Sequence, residues 1–87
     1  MYGQMSDYSY DEKMIIVQHA IKKFENETIV IERLKSIFSE KETQRIIDTL
    51  IGTQKVRRIG PEIIQNNESH TELPILPEKF QHIIESI

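Results

Sequence analysis

The chain of 87 residues has room for one domain, which excludes a large enzyme with a separate cofactor domain. An apolar share of 38%, with 16 Ile, against 29% charged residues supplies a small core and excludes wholesale disorder, while the lack of Cys removes disulfide scaffolds, thiol catalysis and Cys-ligated zinc. The formal charge of −3 is unevenly spread: residues 1–32 carry −3, residues 33–58 carry +4 and residues 59–87 carry −4.

Residues 1–8 lack periodicity and are read as a flexible N-terminal segment, with a single domain over 9–87. Ser9 and Glu12 fit a capping box, and Met14, Val17, Ile21 and Phe24 recur at helical spacing with Ala20 beside them, which predicts a first helix over 10–25. Thr28, Ile29, Val30 and Ile31 are β-branched and suit a strand residue or two before the chain turns helical; propensity alone does not choose. Ile31, Leu34, Ile37 and Phe38 predict a short second helix ending near Phe38. Ser39 and Glu42 form another capping box. Thr43, Ile46, Ile47, Leu50 and Ile51 then give one face of a third helix over 40–52, and Lys41, Gln44, Arg45 and Asp48 project together from the other. Beyond Gly52, two β-branched segments around Gly60-Pro61 predict a hairpin over 55–65, followed by a polar loop. Pro77 suits the first position of a last helix over 77–86, whose apolar stripe is Phe80, Ile83, Ile84 and Ile87.

The segment Phe38-Ser-Glu-Lys-Glu-Thr-Gln-Arg-Ile-Ile-Asp-Thr-Leu50, followed by Lys55-Val-Arg-Arg-Ile-Gly60, resembles the winged-helix branch of the helix-turn-helix DNA-binding proteins. The resemblance is carried by residues 28–65. It implies a mainly α fold with a small β-hairpin, a winged helix-turn-helix with an added C-terminal helix. The third helix would be the recognition helix and the hairpin the wing. One departure is Gln54, where family members usually place a Gly just before the first wing strand; Gly52 lies two residues earlier.

The major groove of B-DNA, about 12 Å wide, admits one α-helix, so side chains on an outward helical face reach base edges. Arg45 is expected to take guanine, Gln44 to make the bidentate contact to adenine, and Lys41 to take guanine or a phosphate. Ser39 and Thr43 add phosphate hydrogen bonds from the helix start, and Lys35, Lys55, Arg57 and Arg58 supply backbone contacts. Arg57 and Arg58 are consecutive in a strand and point to opposite faces, so one is expected to meet the duplex and the other to pair with an acid. Glu40 and Glu42 oppose DNA by charge, but acids in a first helical turn complement the helix dipole.

His19, His70 and His82 are too scattered for a metal site, and no phosphate loop or nucleophile motif is present, so neither cofactor nor catalysis is expected. Two uses of the terminal apolar residues are open. Met5, Tyr8, Tyr10, Ile15, Phe80, Ile83, Ile84 and Ile87 form a homodimer interface, setting two recognition helices about 34–36 Å apart, or the last helix packs back on its own domain. The longest apolar run, Met14 to Val17, is far short of the ~20 residues of a membrane span, and no basic, apolar leader opens the chain. The expectation is a cytoplasmic, homodimeric protein that binds double-stranded DNA as a transcriptional regulator. A centromere-binding adaptor of plasmid or phage segregation needs the same parts; an interaction module contacting protein through its acidic arms or C-terminal helix is the alternative from another class.

Overall fold

The computed structural model describes residues 8–87, which form four α-helices and one two-stranded antiparallel sheet, an α+β arrangement dominated by helix. No helix among the described residues is long and apolar enough to cross a membrane.

The first helix, α1 (Tyr10–Phe24), starts as expected from a complete capping box. The Ser9 hydroxyl accepts from the Glu12 N–H at 3.1 Å, and the Glu12 carboxylate accepts from the Ser9 N–H at 2.9 Å. Ile16, Val17, Ala20 and Ile21 are fully buried, whereas Met14 and Phe24 pack at the edge of the core. The helix stops because Glu25 turns left-handed, with φ 54°, and its N–H donates to the Ile21 carbonyl at 2.7 Å.

The next helix begins earlier than the β-branched run suggests. Asn26 is its N-cap, accepting from the Ile29 N–H at 3.0 Å, and α2 (Glu27–Leu34) contains all of Thr28 to Ile31 as helix. Burial of Val30 and Leu34 overrides the strand propensity of their neighbours. The extended element shrinks to Asn26, which bridges Ile63 in antiparallel fashion, while the Glu27 N–H donates to the Glu62 carbonyl at 2.8 Å. At the other end α2 closes at Leu34, four residues before Phe38. The Leu34 carbonyl accepts from both Ile37 and Phe38 N–H groups at 2.9 Å, so these residues form a turn.

The third helix, α3 (Glu40–Gly52), occupies the predicted span, with Ser39 accepting from the Glu42 N–H at 3.0 Å. Its capping box is only half made. The Glu42 carboxylate faces Lys13 of α1 instead, at 2.6 Å, where an ammonium is a stronger donor than a backbone amide. Thr43, Ile46, Ile47 and Leu50 form its buried face.

Strands β1 (Val56–Arg58) and β2 (Ile64–Asn66) pair in register Val56↔Asn66, Arg57↔Gln65 and Arg58↔Ile64, the second strand running one residue past the predicted hairpin. Gln54, at the glycine-like position before β1, has φ 66° and so bears left-handed backbone with a side chain attached. The loop after β2 is tethered: Asn66 donates to the Gln18 carbonyl at 2.9 Å, and His19 Nε2–H donates to the Pro74 carbonyl at 2.7 Å.

At the C-terminal end, a 3-10 turn (Glu78–Phe80) precedes α4 (Gln81–Ser86), and Pro77 caps the turn rather than entering the helix. Its apolar stripe is consumed by the chain itself. Phe80 and Ile83 are each 5% exposed, Ile84 and Ile87 pack against the same core, and the Tyr8 ring sits 5.6 Å from those of both Phe38 and Phe80. Phe80, Ile83 and Tyr8 are thereby removed from the expected dimer interface, and Tyr8 from the flexible segment. The physical reason is size: a small domain has too little apolar surface to leave such residues unburied. Lys23 donates to the Ile84 carbonyl at 2.6 Å and Arg33 to the Ile87 carbonyl at 2.9 Å, pinning α4 to α1 and α2. Tyr10 stays half exposed on α1 and Ile15 of the same helix is partly buried; Met5 lies outside the described residues.

Two outcomes follow for stability. Phe80→Ala should cost about 3–5 kcal/mol, by urea unfolding, equally at low and high protein concentration, because the lost packing lies within one chain. Gln54→Gly should gain about 0.5–1 kcal/mol and raise the thermal midpoint by a few degrees, since the exposed side chain contributes strain at that backbone geometry.

Candidate nucleic-acid interface

Burial of Thr43, Ile46, Ile47 and Leu50 fixes the rotation of α3, and helical periodicity then sends Lys41, Gln44, Arg45 and Asp48 to the other side. Lys41, Arg45 and Asp48 are exposed and Gln44 is half-buried; with Glu40 and Ile31 they line a shallow groove of about 470 Å³ between α2 and α3. The face is charge-mixed, since Glu40 and Asp48 accompany Lys41 and Arg45.

Three elements meet at Glu27, the first residue of α2. Its carboxylate accepts from both terminal guanidinium nitrogens of Arg58 from β1, at 2.9 and 3.1 Å, and from the Gln44 amide of α3 at 2.8 Å. Gln44 donates a second time, to Asp48 Oδ1 at 3.2 Å, and Arg58 also donates to the Pro61 carbonyl at 3.1 Å. The Glu27 side chain is 14% exposed, so the pair is partly shielded from water. Hydrogen bonding to Arg58 holds the Glu27 carboxyl below its ordinary range, against the opposing effect of burial, with Gln44 adding to the lowering. The same contact raises Arg58.

This network sorts the expected site residues. Arg57 and Arg58 do diverge: Arg58 shares the face of buried Val56 and is committed to Glu27, while Arg57 is exposed on the opposite face. Arg58 is therefore corrected from a backbone contact to an internal ion-pair partner. Thr43 is corrected too, for it is fully buried, and its hydroxyl has no hydrogen-bond partner among the described residues. Ser39 is exposed but caps α3. Lys55 opens onto a recess with Asp11, Met14, Ile15 and Pro74 against α1, and is not brought to the polar face of α3. Lys35 is exposed in the turn after α2 and pairs with Glu32 at 2.9 Å, which raises its pKa. Lys41, Arg45 and Arg57 make no ion pair among the described residues. Sequence reasoning missed Glu27 as the hub, because the contact depends on Asn26 bridging Ile63, which sets the start of α2 beside β1.

The lowered Glu27 carboxyl binds its proton more weakly in the folded than in the unfolded chain. Its contribution to stability is thus present above the ordinary value of 4.5 and lost as pH falls through the folded value. Half-buried Glu12, also lowered, acts in the same direction. Urea midpoints measured from neutral pH down to the acid range should fall more shallowly for Glu27→Gln than for the parent chain, and the two curves should converge at low pH.

Set against protein-family models, curated proteins and solved structures, the chain matches none, and its function rests on its own geometry.

Proposed function

We propose that this chain is a winged-helix domain that binds double-stranded DNA, with α3 entering the major groove and the β1–β2 hairpin lying alongside as the wing. The observation that carries this reading is the outer face of α3: Lys41 and Arg45, exposed and free of ion pairs among the described residues, stand on the first two turns of a helix whose other side is locked into the core. Arg57 adds, on the outer face of β1, a third exposed cation without an ion pair among the described residues, so that part of the +4 charge of residues 33–58 stays available to phosphates. The order helix, helix, tight turn, helix, hairpin supports the resemblance, with the one-residue bridge at Asn26 standing where a short extended stretch is expected before the second helix. The output we infer is transcriptional regulation. For a homodimer, Tyr10 and Ile15 on α1 are the apolar residues of the expected interface that remain most available.

One observation favours a protein-contact role for the same fold. Ile59 and Ile63 at the hairpin tip are 51% and 45% exposed, and Ile29 of α2 is 39% exposed.

Mobility-shift titrations on random and genomic duplexes at several salt concentrations separate the two. DNA binding predicts a steep linear fall of log affinity with log salt. Arg45→Ala should cost about 1–3 kcal/mol at one base position and relax preference there, whereas Arg57→Ala should weaken all duplexes alike and reduce the salt slope by about one. A protein-contact module predicts no duplex shift at any salt.

A further inference from the structure

Gln44 is held in a way that changes what it can read. A primary amide offers two N–H donors and one carbonyl acceptor. Both partners of the Gln44 nitrogen, Glu27 Oε2 at 2.8 Å and Asp48 Oδ1 at 3.2 Å, belong to carboxylates, which only accept. The nitrogen must face them, since the reversed amide would set its carbonyl against two anions. Both N–H groups are then engaged, and Oε1 is the one atom left for a ligand. Glu27 is itself clamped by Arg58, and Arg58 by the Pro61 carbonyl.

We propose that Glu27 and Asp48 make Gln44 an acceptor-only reader, selecting an exocyclic amino group, on adenine or on cytosine, at one base of the duplex. This rests on the DNA-binding reading above. The bidentate adenine contact requires an N–H for N7 as well as an acceptor for the N6 amino group. Without a free N–H, the adenine N6 and cytosine N4 amino groups satisfy Oε1 equally, while guanine O6 and thymine O4 place an acceptor against an acceptor. The specificity of α3 at this position is thereby set by a carboxylate of α2, and Arg58 of the hairpin acts as a positioning residue for a base it does not touch.

The test uses the unaltered chain first. Selection from a random duplex library with the parent and with Gln44→Ala locates the position whose preference flattens in the variant. The parent should accept adenine and cytosine there with affinities within about threefold, and guanine or thymine about fivefold or more weaker, the worth of one hydrogen bond. With adenine in place, 7-deazaadenine, which lacks N7, should bind unchanged, whereas purine, which lacks the amino group, should lose about fivefold. In Glu27→Ala one N–H is released, and 7-deazaadenine should then lose about fivefold against adenine. Because the analogue comparison is made on the parent chain, it stands even if that variant fails to fold. Equal losses with 7-deazaadenine and purine in the parent, or no position flattened by Gln44→Ala, would overturn the acceptor-only assignment while leaving DNA binding intact. Absence of any salt-dependent duplex binding by the parent overturns the DNA-binding reading and this assignment together.

Discussion

The carboxylate of Glu27 is required by three elements at once, and the arrangement of the polar surface depends on it. An acid at the first position of a helix is favoured by the exposed N–H groups of that terminus, so its presence at the start of α2 costs little locally. Its side chain, however, is mostly shielded, and a shielded charge is tolerated only when paired and hydrogen-bonded. Arg58 supplies the pair in a two-pronged geometry, and Gln44 satisfies the remaining oxygen valence. The consequence is that hairpin and α3 are referred to one atom group on α2. A displacement of β1 would be felt at the amide of Gln44, although the two share no direct hydrogen bond.

What permits this meeting is backbone geometry at two reversals. Glu25 and Gln54 both adopt left-handed φ, one ending α1 and the other preceding β1. The first lets Asn26 cap α2 immediately, so that no extended linker separates the two helices. The second turns the chain out of α3 in time for the Lys55 N–H to reach the Leu50 carbonyl at 2.9 Å. Neither residue is glycine, so each site holds conformational strain that the surrounding hydrogen bonds must offset.

Much of this architecture was legible from residue pattern. The amphipathic period of 43–51 located α3 and both of its faces, the Gly60-Pro61 break located the hairpin, and Ser9 with Glu12 marked the start of α1, because each signal is local in sequence. Thr28 to Ile31 misled on the same grounds: their strand propensity is intrinsic, whereas their helical state follows from an Asn cap and from the burial of Val30. Glu42 could be placed in a capping box from spacing, but its partner Lys13 is distant in sequence and appears only on folding. The hub at Glu27 was illegible for the same reason. The divergence of Arg57 and Arg58 was foreseeable from strand alternation, though the acid that claims Arg58 was not. Thr43 belongs to the buried face by periodicity and is also expected to bond phosphate from the helix start; its full burial shows that angular position outweighs proximity to the helix start.

Angular position is also what couples the core to the polar surface. Successive residues of an α-helix are separated by about 100°. A slip of one residue in how α3 seats on the core would bury Gln44 and Ile47 in place of Thr43 and Ile46, and carry Arg45 toward the edge of the helix interface. Ile46, Ile47 and Leu50, all fully buried, forbid that slip through packing that admits no cheap alternative. Glu27 then refines the result at the level of single hydrogen bonds, turning the nitrogen of the Gln44 amide toward the carboxylates. Coarse azimuth comes from apolar burial and fine polarity from one carboxylate. A change on the buried side of α3 and a change at the α2 terminus therefore alter the same outward face through physically separate routes, the first by rotating every side chain together, the second by freeing one donor while leaving its neighbours in place.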